Sequence, residues 1–119
     1  MKVVRPSEVP KQPVDSPLFT GPDVSRQPLA PDSTDYNLSI VNFGKGVKNK
    51  FHKHESDQVL IATAGKGIVA TEHEEHTMEV GDVALIPAGE KHWHGSIEGS
   101  EFSHISLQRA GSTTTQLED

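Results

Sequence analysis

The sequence predicts an all-β fold, and three observations support this class. From Tyr36 onward, apolar and polar residues alternate with a period of two, which is typical of strands with one buried face. Glycine or proline interrupts the alternation every few residues, as turns between short antiparallel strands require. No long stretch shows the apolar spacing of a helix. We therefore expect an antiparallel sandwich or barrel.

The same alternation locates the individual strands. Gly65 and Gly67 mark a break after one run, and the Pro87 to Gly89 segment marks another. The predicted strands lie at about Tyr36 to Phe43, Lys50 to His54, Gln58 to Ala64, Gly67 to Glu72, His76 to Val80, Val83 to Ile86, His92 to Ile97 and Phe102 to Gln108.

The segment before Tyr36 has a different composition. Seven of the eight prolines lie between Pro6 and Pro31, and proline is unsuited to a helix interior or a central strand. We expect Met1 to Val14 to be disordered, and the Val24 to Leu29 run to lie along the domain or a neighbouring subunit. The predicted organisation is a Pro-rich N-terminal arm (1–35), a β-barrel (36–110) and a polar, frayed tail (111–119).

Length and composition indicate one domain with a small core. The chain has 119 residues, of which 33% are apolar and 5% aromatic. Such a core leaves apolar sheet surface that a partner chain can cover. We therefore expect a homodimer or an assembly of dimers.

Charge and residue usage exclude several classes of function. The net charge of -6, with no basic run, argues against nucleic acid or an anionic membrane as the main partner. The chain contains no cysteine, which excludes thiolate ligands and a thiol nucleophile. It shows neither an apolar stretch of membrane-spanning length nor the apolar middle of a signal peptide, and we expect a cytoplasmic protein.

The stretch from Gly46 to Gly65 contains the strongest functional pattern. His52 and His54 are two residues apart, so in a strand both imidazoles point to the same face. Gln58 follows with a side-chain carbonyl, and His92 lies in a second segment with Pro and Gly turns. Three imidazoles and an amide oxygen are a suitable ligand set for one divalent transition metal, with positions left for a substrate.

These residues carry a resemblance to the cupin family of jelly-roll barrels. The first cupin motif corresponds to Gly46, His52, His54, Gln58 and Gly65, and the second to Gly81, Pro87, Gly89, His92 and Ser96. Gln58 stands where the family usually has Glu, and Ser96 where it often has Asn. The resemblance implies a double-stranded β-helix barrel with a small-molecule substrate.

A narrower resemblance involves the pattern HxHxxxQxLIxTAGxG, the GEKHWHG segment, the upstream FTG and the final SHISLQ. These are similar to small manganese-dependent bacterial hydroxynitrile lyases and to cupins related to carboxymuconolactone decarboxylases. The resemblance implies a metal held by His52, His54, Gln58 and His92. It also implies His104 as the acid/base. Manganese is the expected ion, with Fe, Zn, Ni, Co and Cu as alternatives.

Gln58 has a consequence that is independent of the family. An amide ligand leaves the charge of a divalent ion uncompensated, so the site should be a strong Lewis acid that prefers anionic ligands.

Strand alternation also predicts the residues around the substrate. His104, Ser106 and Gln108 share one face of the last strand, and His94 points the same way as His92. The predicted pocket residues are Ser39, Val41, Phe43, His94 and Gln108. Packing without chemistry is the alternative for each of them.

Three functions remain open at this point. The first is a metal-dependent lyase with hydroxynitrile lyase-like C–C cleavage, in which the metal acts as Lewis acid and His104 moves the proton. The second is a dioxygenase that uses a redox metal. The third is a non-enzymatic cupin that binds a metal or a small molecule.

Overall fold

Ten strands and one 3₁₀ turn at Pro6–Glu8 make up the regular structure of the chain. The computed structural model describes residues 1–119. The strands are β1 (Gln12–Pro13), β2 (Val24–Pro28), β3 (Tyr36–Phe43), β4 (His52–His54), β5 (Gln58–Ala70), β6 (Glu75–Glu79), β7 (Val83–Ile86), β8 (Trp93–Ser96), β9 (Phe102–Arg109) and β10 (Thr114–Gln116). No helix is long or apolar enough to cross a membrane.

The strands form a curled antiparallel barrel organised around β5. The first half of β5 pairs with β9 and β7, and β9 continues the sheet through β3 and β2 to β1. The second half of β5 pairs with β6 and β8, while β4 pairs with β10. An isolated bridge between His52 and His92 connects β4 to the start of β8. The all-β jelly-roll prediction is confirmed.

The long strand β5 replaces two predicted strands. The pairing of β5 with β9 shifts between Ala62 and Ala64, and Gly65 follows with φ of 70°. A Cβ atom at Gly65 would lie 1.8 Å from the carbonyl oxygen of Glu101, so only glycine fits this close approach. The glycine therefore bends the strand from one sheet into the other without ending it.

The remaining strands of residues 36–110 lie close to their predicted positions. β3 and β7 have the predicted bounds, and β6, β8 and β9 differ from theirs by one residue at one or both ends. β4 is shorter than predicted, because regular pairing begins only at His52.

The N-terminal segment is more ordered than the sequence suggested. β2 pairs with β3 over its whole length, and β1 forms the edge beside it. The side-chain amide of Gln27 donates to the carbonyl oxygens of Pro6 (3.0 Å) and Val9 (2.9 Å), which holds the first turn against the sheet. The expected disorder of Met1 to Val14 was therefore wrong from Pro6 onward. Proline is tolerated here because β1 lies at an edge and Pro28 ends β2.

The C-terminal segment also differs from the frayed tail that was expected. β10 pairs with β4, and the backbone N–H of Leu117 donates to the carbonyl oxygen of Phe51 at 2.8 Å. The chain therefore returns to cover the strand that carries His52 and His54.

The apolar core lies between the sheets and borders a cluster of histidines. Its buried members are Val24, Phe43, Leu60, Ala62, Met78, Ile86 and Phe102. The ring centroids of both Phe43 and Phe102 lie 5.6 Å from that of His104. The core thus forms one wall of the polar site.

Candidate metal centre

Three histidines from two distant segments meet at one point inside the barrel. His52 and His54 lie on the inner face of β4, and His92 immediately precedes β8. Reciprocal backbone hydrogen bonds join His52 and His92, with N···O distances of 2.9 and 3.0 Å. One ring nitrogen from each histidine lies within 4.8 Å of the others. The fold thus brings the histidines of the two motifs into one compact cluster.

Each of the three rings has its Nδ1 atom beside an acceptor. The acceptors are the Lys50 carbonyl oxygen for His52 (2.6 Å), the Thr114 hydroxyl for His54 (2.8 Å) and the Glu90 carbonyl oxygen for His92 (2.8 Å). An Nδ1–H that donates to these acceptors leaves the lone pair on Nε2. The two carbonyl oxygens therefore hold His52 and His92 in the tautomer that ligates a metal through Nε2, and the Thr114 hydroxyl can accept from the same tautomer of His54.

Gln58 completes the set with an oxygen. Its amide nitrogen donates to the Ser106 hydroxyl at 3.0 Å, which directs its carbonyl oxygen toward Nε2 of His92 at 3.1 Å. With the His92 proton on Nδ1, these two facing atoms are both acceptors. Ligands that share an ion at about 2.1 Å and at a right angle lie about 3 Å apart. A cation bound by both atoms would remove the repulsion between their lone pairs.

A second observation supports the fit of a cation. Nε2 of His54 is buried and has no hydrogen-bond partner. Unpaired buried polar atoms are uncommon and call for an explanation such as an ion. The residues present thus fit one divalent ion bound by His52, His54, His92 and Gln58.

Burial keeps the three imidazoles neutral. Desolvation, aided by the nearby His92, lowers the pKa of His52 to about 3 and that of His54 to about 4. Desolvation also lowers the pKa of His92. At neutral pH all three are therefore in the unprotonated form that a metal requires.

A cavity of about 270 Å³ opens beside these ligands. The predicted residues Ser39, Val41, His94, His104 and Gln108 all line it, together with His52, His54 and Gln58.

Phe43 is the predicted pocket residue that does not line the cavity. Its ring belongs to the buried core, stacked on Phe102 with centroids 6.4 Å apart. Phe43 shares its face of β3 with Ser39 and Val41, but it lies at the end of the strand where the core fills the barrel. Its assignment to the pocket was wrong for that reason.

His94 and His104 form a hydrogen-bonded pair deep in the cavity wall. Nε2 of His104 lies 3.0 Å from Nδ1 of His94, and Nδ1 of His104 lies 3.2 Å from the Ile105 carbonyl oxygen. The amide nitrogen of Asn49 lies 3.2 Å from Nε2 of His94. These partners are all satisfied when Asn49 donates to His94, His94 to His104, and His104 to Ile105.

Burial also controls the charge of this pair. Desolvation lowers the pKa of His104 to about 4, and it holds the pKa of His94 well below 6.5 with the help of His104. Both rings are neutral at pH 7. The unprotonated ring can accept a proton, as a weaker base than free imidazole, and its protonated form would donate that proton more readily than free imidazolium.

Several site residues were missed by sequence reasoning. Thr114 orients His54, Asn49 holds His94, and Arg26 reaches the cavity. Thr114 and Arg26 lie in segments predicted to be tail and arm, so no local pattern marked them. Asn49 is three residues before His52 and gave no separate signal.

The fold and the ligand set define the class of the protein. Residues 39–105 match the family described as Cupin domain, which is more than half of the chain. The chain belongs to the cupin family, as the sequence motifs predicted.

Comparison with individual proteins adds detail. The chain is 37% identical over 93 residues to an (R)-mandelonitrile lyase of Granulicella tundricola, which covers 76% of this chain and 70% of that protein. A cupin-like protein of Thermotoga maritima superposes with a TM-score of 0.85 at 27% identity, covering 94% and 89% of the two chains. The polyketide cyclase RemF of Streptomyces resistomycificus has a TM-score of 0.87 at 15% identity, covering 100% and 87%, and shows the shared fold alone.

Proposed function

We propose that the protein is a metal-dependent lyase that cleaves a C–C bond in a small hydroxyl- or carbonyl-bearing substrate. The observation that carries this proposal is the joint position of two groups. Four neutral ligand atoms converge at one point, and His104 lines the cavity that three of the ligand residues, His52, His54 and Gln58, also line. The similarity to a mandelonitrile lyase supports the same reaction class.

The ligands suit one divalent transition metal per chain, and we propose manganese as the ion. A bound ion would supply Lewis acidity toward a substrate oxygen, undiminished by any carboxylate ligand. Gln58 contributes an amide in place of a carboxylate, and Ser106 holds that amide in position.

His104 would move the proton. Its neutral ring takes the hydroxyl proton on Nε2 as the oxygen forms a carbonyl, and the C–C electron pair leaves with the departing fragment. The protonated ring then returns the proton to that fragment. In the structure this nitrogen accepts from His94, so the substrate hydroxyl must compete with His94 for it.

The proposal can be tested with variants of His104. Metal-loaded protein would be assayed for cleavage of mandelonitrile and other small hydroxynitriles and hydroxyketones. His104→Ala should retain the metal and lower the rate by about 10² to 10⁴-fold, the range for positioned proton transfer. His104→Gln provides a second variant that fills more of the buried space. His73→Ala, which changes an exposed histidine, is the matched control.

Two results would reject the lyase. One is that both His104 variants bind metal and cleave every active substrate as fast as the parent. The other is that the parent consumes oxygen with the substrate, which would support the dioxygenase.

A further inference from the structure

The larger sheet carries a polar cluster at the cavity that the proposed reaction does not use. Arg26 on β2 pairs with Val41 on β3, and Val41 pairs with His104 on β9. Residues directly opposite in an antiparallel sheet point to the same face. Ser39 is two residues from Val41 and shares that face. Arg26 and Ser39 thus belong to the same inner wall as His104.

Arg26 is the only permanently charged side chain among the residues that line the cavity. It is exposed, and its Nη2 atom donates to the Asn37 side-chain oxygen at 2.9 Å. This bond restrains the guanidinium and leaves its other N–H groups for a ligand. No aspartate or glutamate lines the cavity to neutralise it.

Ser39 supplies a second, independent sign of a ligand. Its side chain is buried, with 2% of its surface exposed, and its hydroxyl has no hydrogen-bond partner. A hydroxyl that is buried without a partner is unfavourable unless something binds it. Ser39 also lines a neighbouring shallow depression together with Arg26 and Asn37. An anion at this corner could contact both Arg26 and Ser39.

We infer that the substrate carries a carboxylate, which the Arg26 guanidinium and the Ser39 hydroxyl bind. The inference rests on the proposed function in placing the reactive oxygen of the substrate at the metal ligands. The flat, forked guanidinium matches a carboxylate with two parallel hydrogen bonds. The cavity of about 270 Å³ lies below the usual range for drug-sized ligands, which limits the substrate to a small hydroxy or keto acid.

Arg26 and His104 lie on β2 and β9, with β3 between them. The inner wall therefore offers the carboxylate and the reacting carbon separate positions. This substrate class differs from the uncharged nitrile named for the Granulicella relative.

A matched pair of ligands tests the inference without relying on turnover. The probes are 4-oxopentanoate and its methyl ester, which share the ketone and differ in charge. Binding to manganese-loaded protein would be measured by calorimetry and by ligand-observed NMR. The parent should bind the acid about three- to fivefold more tightly than the ester, as expected for an ion pair with an exposed arginine.

Two variants locate the contact. Arg26→Gln should remove the preference for the acid and leave binding of the ester unchanged. Ser39→Ala should weaken binding of the acid by a smaller factor. Arg109→Gln, which changes an exposed arginine on β9 that does not line the cavity, should behave as the parent.

The outcomes separate this inference from the proposed function. Equal affinities of the parent for acid and ester would overturn the carboxylate site. A preference that persists in Arg26→Gln would also overturn it, since the metal would then bind the anion. If Arg26→Gln loses the preference while the parent cleaves no C–C bond, the carboxylate site is supported and the lyase is rejected.

Discussion

Replacing Thr114 with valine should weaken metal binding, although Thr114 is not itself a ligand. Its hydroxyl lies 2.8 Å from Nδ1 of His54, and when it accepts the Nδ1–H it leaves the His54 lone pair on Nε2. Valine has nearly the same shape and preserves the β-branched fit of β10, but it cannot accept this hydrogen bond. The His54 ring would then be free to turn or to change tautomer.

The size of the effect follows from the surroundings. Loss of a partner that orients a ligating histidine typically lowers metal affinity 10- to 100-fold. His54 is buried, but Thr114 is exposed, so water can partly replace the hydroxyl. We therefore expect the lower end of this range, about tenfold, which corresponds to about 1.4 kcal/mol.

Competition with a chromophoric chelator would measure the manganese affinity of each variant. Thr114→Ser should restore most of the affinity because it keeps the hydroxyl. Thr115→Val is the matched control, since Thr115 lies next to it on β10, is exposed, and pairs with Lys53. Affinity of Thr114→Val within twofold of the parent, or an equal loss in Thr115→Val, would refute the reasoning.

Three further predictions concern stability, the metal and assembly. Burial lowers the pKa of His104 from 6.5 to about 4, so the unfolded chain binds the proton first and stability falls as the pH drops below 6.5. Between pH 7 and pH 4, this residue should lower the free energy of unfolding, measured with denaturant, by about 3 kcal/mol. His104→Gln should lack this contribution, and an equal loss in the parent and in His104→Gln would contradict the prediction. His52→Ala should release the ion on dialysis, and full occupancy in that variant would exclude the ligand set. We also propose a homodimer that covers the exposed Val83 and Leu85 on β7. Sedimentation should give the mass of a dimer for the parent and of a monomer for Leu85→Lys. A monomeric parent would exclude the proposal.

Local sequence patterns predicted the elements that depend on few neighbours. Alternation assigned β3 and β7 their bounds, because a strand with one buried face must repeat every two residues. The same periodicity placed both imidazoles of β4 on one face. Cupin spacing then predicted that His92 would join them, and the structure brings the three rings together.

The partners of these residues depend on contacts that no local pattern encodes. Thr114 reaches His54 across 60 positions of sequence, and Asn49 reaches His94 across 45. Both contacts arise from strand pairing, which depends on how the whole barrel closes. Proline content obscured β1 and β2, although proline is tolerated in the edge strand β1 and at the end of β2.

The sequence by itself determined the all-β class and the candidate ligands, because side-chain alternation and turn residues act within a few positions. Only the tertiary structure decided where along the barrel each inward side chain lies. Phe43 and Ser39 share one face of β3, yet Phe43 fills the core and Ser39 lines the cavity. A period of two specifies the face of a strand, whereas depth in the barrel depends on the register between strands and on the packing of all of them together.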